Sequence, residues 1–186
     1  MNVASVAEVV WYVTGRFYSN SASMVLDVGY FLHVEGLAES LFADLASEST
    51  ALLTFASAPF LASTISNGGL DIGVDVKGSF AIYLRETPGA SFDDPNTFAA
   101  GQCVATFERT SIVAVAKQPL TSSNVFTARL VDSQPFDFRG ARYDFRDLVG
   151  NSITQWGIAA AEPLTPPAGY TSVAPFVGSA IRAGTG

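Results

Sequence analysis

Apolar and polar residues alternate with period two along much of this chain. The clearest run begins at Met24. Met24, Leu26, Val28, Tyr30, Leu32 and Val34 are all apolar, while Val25, Asp27, Gly29, Phe31, His33 and Glu35 between them form a mixed set. Successive strand side chains point to opposite faces, so residues from about Ala22 to Glu35 read as one long strand with a wholly apolar face. Twelve such residues span roughly 40 Å, well beyond the common strand length of about five or six. Strands of this kind suit barrels and sandwiches. Gly29 inside the run marks a bulge or bend.

The rest of the chain repeats the pattern. Val9 to Tyr18 is β-branched and aromatic, as strands prefer. Ala51 to Ser57, Leu70 to Lys77 and Ser79 to Glu86 read as strands, with Asn67-Gly68-Gly69 as a turn before the second of them. Thr87 to Thr97 reads as a loop. Gln102 to Thr110, Ser111 to Gln118, Val125 to Asp132 and Ile153 to Ala160 read as further strands, with a loop over Pro119 to Asn124. Pro135 to Leu148 reads as a small hairpin turning at Arg139-Gly140. Gly36 to Thr50 fits either a short helix or a strand return. From Pro163 onward, prolines and glycines among Phe176, Val177 and Ile181 suggest an irregular tail that packs on something.

This gives roughly eight to eleven strands, with turn signals every ten or so residues. No β–helix–β rhythm appears, which argues against a parallel α/β sheet. The expected fold is all-β: a single antiparallel β-barrel over residues 1–162, with the irregular Pro/Gly-rich tail, residues 163–186, packing on the barrel or a neighbour. Closure removes the exposed edges that make hydrophobic strands hazardous. A sandwich is the alternative.

Composition narrows the function. The net charge is −7 with ten basic residues. The one basic cluster, Arg139, Arg142 and Arg146, is interleaved with Asp137, Asp144 and Asp147. Nucleic-acid binding needs clustered cations to displace phosphate counterions, so no nucleic-acid partner is expected. No membrane partner is expected either, because no stretch is long and apolar enough to span one. Cys103 is the single cysteine, which fits a reducing compartment. The N-terminal segment lacks a basic signal-peptide start, and a cytoplasmic location is expected.

One His and one Cys are too few for the usual zinc sites. No phosphate-binding loop, dinucleotide fingerprint or nucleophile elbow is present. The expectation is therefore no metal and no cofactor. The candidates for acid–base or polar contacts are His33, Tyr83 and Arg85. His33 is the one group that titrates near neutrality, with Glu35 or Asp27 to orient it. Tyr83 and Arg85 share a strand face, and pairing with the strand of Cys103, Phe107 and Arg109 would gather them into a patch able to bind a carboxylate or polarise a carbonyl. Tyr30, Phe107 and Trp156 are the candidate aromatic contacts for a greasy ligand.

GSFAIYLRETPG (Gly78 to Gly89) followed by FAAGQCVATFERT (Phe98 to Thr110) resembles the paired strands of lipocalin-like and allene-oxide-cyclase-like or dirigent-like β-barrels. The resemblance rests on strand rhythm and on glycine and aromatic placement. It implies an apolar lumen for a hydrophobic small molecule, and cyclisation or isomerisation driven by confinement without a cofactor. The expected function is binding such a molecule, with cofactor-independent cyclase or isomerase activity of secondary metabolism within reach. The alternative is a structural or assembly subunit, such as a capsid, tail or filament protein, whose C-terminal tail contacts a neighbour in a homo-oligomer. Low charge and abundant small residues suit such subunit packing.

Overall fold

The computed structural model describes residues 7–37, 39–61, 64–68, 70–74, 78–117, 121–160, 162 and 164–183. Its strands are β1 (Ala7–Ser19), β2 (Met24–Val34), β3 (Leu53–Ser57), β4 (Phe60–Leu61), β5 (Thr64–Asn67), β6 (Leu70–Val74) and β7 (Ser79–Leu84). They continue with β8 (Gln102–Lys117), β9 (Thr121–Ser133), β10 (Phe136–Phe138), β11 (Ala141–Tyr143), β12 (Ser152–Ala160) and β13 (Ser172–Ala183). A short α-helix, α1 (Phe145–Val149), precedes β12, and a 3-10 helix spans Pro95–Ala99.

Eight strands close an antiparallel barrel. Around it the order is β1, β2, β3, β7, β8, β9, β12 and β13, and β13 pairs back onto β1 from Ala7↔Ala183 to Ser19↔Ser172. The single antiparallel barrel expected from the alternation is therefore present, and the sandwich is excluded. β8 is the longest strand. Its first half pairs with β7 and its second half with β6, while β9 follows it along most of its length. β4 pairs with the start of β2. The β5–β6 hairpin and β4 thus extend one rim of the barrel.

That rim is the open end. The other end is sealed. The β10–β11 hairpin, α1 and the loop after β2 contribute Phe136, Phe138, Phe145, Val149, Leu37 and Leu41 to the barrel core. The hairpin turns at Arg139 and Gly140, both at positive φ, as a tight two-residue turn requires. Asp144 caps α1 by accepting from the Arg146 backbone N–H at 2.8 Å, an Asx cap of the usual type.

As far as Tyr30, the apolar face of β2 lies on the outside of the barrel, whereas Val34, beyond a bulge, is in the barrel core. Val28 and half-buried Leu26 and Tyr30 join Tyr18, Ala56 and Val173 in a second cluster on the outer wall. The loop after β7 covers it, contributing Ala90, Phe92 and Phe98. Thr54 Oγ1 donates to the Phe98 carbonyl at 2.7 Å, and Tyr18 Oη donates to the Phe92 carbonyl at 2.8 Å. Each large apolar side chain buried there stabilises the fold by about 1.5–3 kcal/mol. As far as Phe31, β2 is therefore covered on both faces, and Val25, Asp27 and Phe31 of its mixed set line the interior.

Three further expectations change. The residues after Pro163 are irregular only as far as β13, whose twelve residues close the barrel. Ser111 to Lys117 is not a separate strand but the second half of β8, and β9 begins at Thr121, inside the expected loop, while Gln118 to Leu120 lie outside the described residues. Gly36 to Thr50 forms neither a regular helix nor a strand: its described residues are turns and bends pinned by Phe42↔Ala51. Asp75 to Lys77, placed in a strand by their alternation, lie outside the described residues.

Candidate functional site

The barrel interior is layered. Towards the sealed end it is solid. Trp11 meets Phe31 edge-on at 5.5 Å and Phe107 at 5.7 Å, and Phe107 stacks on Phe80 at 5.0 Å. Side chains point inward on alternate residues, so Trp11 and Val13 on β1, Phe80 and Ile82 on β7, and Ala105 and Phe107 on β8 fill this half.

The next inward residue on β8 is Arg109, which is 4% exposed. Asp27, inward on β2, is 6% exposed. Arg109 Nη2 donates to both carboxylate oxygens of Asp27, at 3.0 and 2.8 Å. The guanidinium also lies against three rings: Phe60 at 4.9 Å, Phe126 at 5.0 Å and Phe80 at 5.4 Å. Its Nε and Nη1 find no hydrogen-bond partner among the described residues. Beside the pair, Trp11 Nε1 donates to Gln155 Oε1 at 3.1 Å. A void of about 10 Å³ separates Arg109 and Gln155 from the aromatic plug, about the space of one water. Asp27, Arg109 and Gln155 thus form a polar floor across the middle of the barrel.

Above that floor the barrel is hollow. A cavity of about 180 Å³ reaches towards the open rim. Its apolar walls are Phe17, Val25, Phe60, Ile112, Phe126 and Phe176. Ser122, Ser123 and Asn124 of β9 supply polar groups at the rim. Gly157 replaces a wall side chain, and a Cβ there would come within 3.3 Å of Asn124 Nδ2. A void of roughly 150 Å³ is enough to hold benzene, so this one accepts a body of about one ring.

The sequence candidates fall elsewhere. A bulge sets Tyr12 opposite His33 but Val13 opposite Phe31, so Leu32 is the extra residue and the faces of β2 exchange there. His33 consequently lies outside the barrel, about half exposed, with Glu35 Oε2 at 3.3 Å. Tyr83 is on the outer wall in the second cluster, and burial raises its pKa. Arg85 is also outside. It donates from Nη1 to the Thr97 and Ala100 carbonyls, which fastens the loop after β7, and burial lowers its pKa. Tyr30 packs under that loop against Phe42 and Phe92. Burial, with a smaller contribution from Glu48, raises its pKa. Trp156 points outward and is 47% exposed. Phe107 alone lies within the barrel, in the plug and not at the cavity. The expected patch of Tyr83, Arg85 and Arg109 does not form, because Arg109 points inward and the other two outward.

The cavity floor was partly visible in sequence. Asp27 belongs to the mixed face of the long run, and Arg109 continues the Ala105–Phe107 alternation. Gln155 carries no pattern that distinguishes it from other strand polar residues. Among the described residues, no group of three or more His, Cys, Asp or Glu is placed to hold a metal ion, and no helix is long and apolar enough to cross a membrane. Comparison with protein-family models, with curated proteins and with solved structures finds no match.

Proposed function

We propose that this protein binds a small, mostly apolar molecule in the upper half of its barrel. One observation carries the reading: an otherwise tightly packed interior stops at a polar floor and leaves an aromatic-walled cavity of about 180 Å³ below an open rim. Apolar walls with a few convergent polar groups are the usual makeup of a small-molecule site. Cyclisation or isomerisation by confinement fits the same geometry, since a dry, shaped pocket can select a reactive conformer unaided by a cofactor. The test is a panel of one-ring hydrocarbons and ketones scored by thermal shift, since a ligand that binds only the native state raises the melting temperature. Ile112→Trp, which fills the cavity, should abolish every shift while the far-ultraviolet circular dichroism is retained. Shifts that survive in the filled variant would locate binding elsewhere and refute the reading.

A second reading is supported by the outer wall. Tyr12, Val125, Trp156, Ile158, Val177 and Ile181 are each 38–47% exposed. They sit on four consecutive strands, with Trp156 opposite Val125 and Ile158 opposite Val177. A contiguous apolar surface of this kind suits contact with another subunit, as in an assembly protein. Sedimentation velocity separates the readings: a large uniform assembly that Trp156→Ser dissolves supports the second, and a monomer removes it.

A further inference from the structure

The floor of the cavity has a property that the walls do not: it is rich in donors and balanced in charge. We propose that the ligand carries a neutral carbonyl oxygen and seats it on this floor, against Arg109 and Gln155. The inference rests on the cavity being a ligand site and specifies the class of molecule it takes.

Three observations support it. Arg109 commits only Nη2 to Asp27 and leaves Nε and Nη1 buried without a partner among the described residues. A buried donor without an acceptor is costly, so native proteins rarely leave one empty. Gln155 points the same way. Indole N–H is a donor only, so the amide oxygen must be the atom that faces Trp11. That makes Nε2, a pure donor, the other polar atom of a side chain that lines the cavity. Finally, the positive charge of Arg109 is already balanced by Asp27 at 2.8 Å. A carboxylate entering here would place a second negative charge beside Asp27, and no further cation lines the cavity among the described residues to offset it. A hydrocarbon would leave the donors empty. A ketone, ester, lactone or amide oxygen accepts without adding charge, and its apolar body fits between Phe17, Ile112 and Phe176.

Three probes of one-ring size and different heads test this: acetophenone, ethylbenzene and benzoate, with dissociation constants from NMR titration of the full chain. Acetophenone should bind about tenfold or more tighter than either of the others, in line with a hydrogen bond to a charged donor. The carbonyl stretch of the bound ketone should move to lower wavenumber than in an apolar solvent. In the paired variant D27L/R109M, which removes both charges together, the preference over ethylbenzene should fall sharply. If that variant does not fold, the wild-type series and the infrared shift decide. Tightest binding by benzoate overturns the neutral head. Equal binding of ethylbenzene and acetophenone overturns the contact with the floor and leaves the cavity reading intact. Failure of all three probes to bind overturns the cavity reading and this inference with it.

Discussion

Removing one partner of the Asp27–Arg109 pair should be far more damaging than removing both. In the variant R109M the Asp27 carboxylate stays inside the barrel, where its side chain is 8% exposed, without the guanidinium that bonds both its oxygens. Unit charges about 4 Å apart attract by about 4 kcal/mol at an effective dielectric near 20. Breaking buried pairs from one side costs about 3–5 kcal/mol. The whole fold is stable by about 5–15 kcal/mol, so R109M or D27L alone should bring it close to unfolding. D27L/R109M leaves no orphaned charge, and Phe60, Phe80 and Phe126 already provide an apolar lining for the two side chains introduced there. It should lie within about 1 kcal/mol of the wild type, as buried pairs exchanged for apolar groups often do. Urea unfolding followed by circular dichroism measures all four corners of this cycle. Single variants that lose less than about 1 kcal/mol, or a double variant whose loss equals the two singles added, would refute the account of the floor as a mutually dependent pair.

Other outcomes follow from separate features. Burial raises the Tyr18 pKa to about 12. An unfolded chain ionises near 10, so the native state loses stability as pH rises from about 10 towards 12, and Tyr18→Phe should flatten that loss while an ultraviolet titration of the wild type shows one late phenol. Gly29→Ala should destabilise by the upper part of the roughly 1–3 kcal/mol range for overpacking, read as a fall in urea midpoint, because its Cβ would stand 2.1 Å from the Thr14 carbonyl oxygen and 2.7 Å from Phe55 Cζ. Arg85→Met should speed amide hydrogen exchange across 87–100, whose carbonyls it holds, and leave exchange in β9 and β12 unchanged; uniform acceleration would mean that the loop is not held locally.

Much of the barrel is legible in the sequence because each strand's alternation is a local property. The strand read over Ala22 to Glu35, which contains β2, follows from period two alone. What period two cannot assign is which face is the inside. Leu26, Val28 and Tyr30 of the apolar face belong to the outer wall because residues 87–100 fold back over them, a contact with no local signature. That the floor residues meet was hidden for a related reason. Asp27 and Arg109 are 82 positions apart in the chain, and their meeting depends on the register of the strand pairings between them. Single-residue bulges compound this. The one at Leu32 puts His33 outside, and the one between Ile82 and Tyr83 skips Val104, which is buried, and leaves Cys103 exposed. The strand in 172–183 was obscured by Pro175 and Gly178, which weaken strand propensity even though β1 and β12 pair on either side of them.

The seam between β1 and β13 sets the order in which this molecule can be made. Residues 7–19 leave the ribosome long before their partner, residues 172–183. Until it arrives, one flank of β1 and one flank of β12 stand bare, each a template for a stray strand. Ring closure over so long a separation is slow. Yield in a cell therefore depends on shielding those two borders during synthesis, and a permuted chain that begins in the 162–171 connection, with β13 leading directly into β1, should assemble faster and aggregate less.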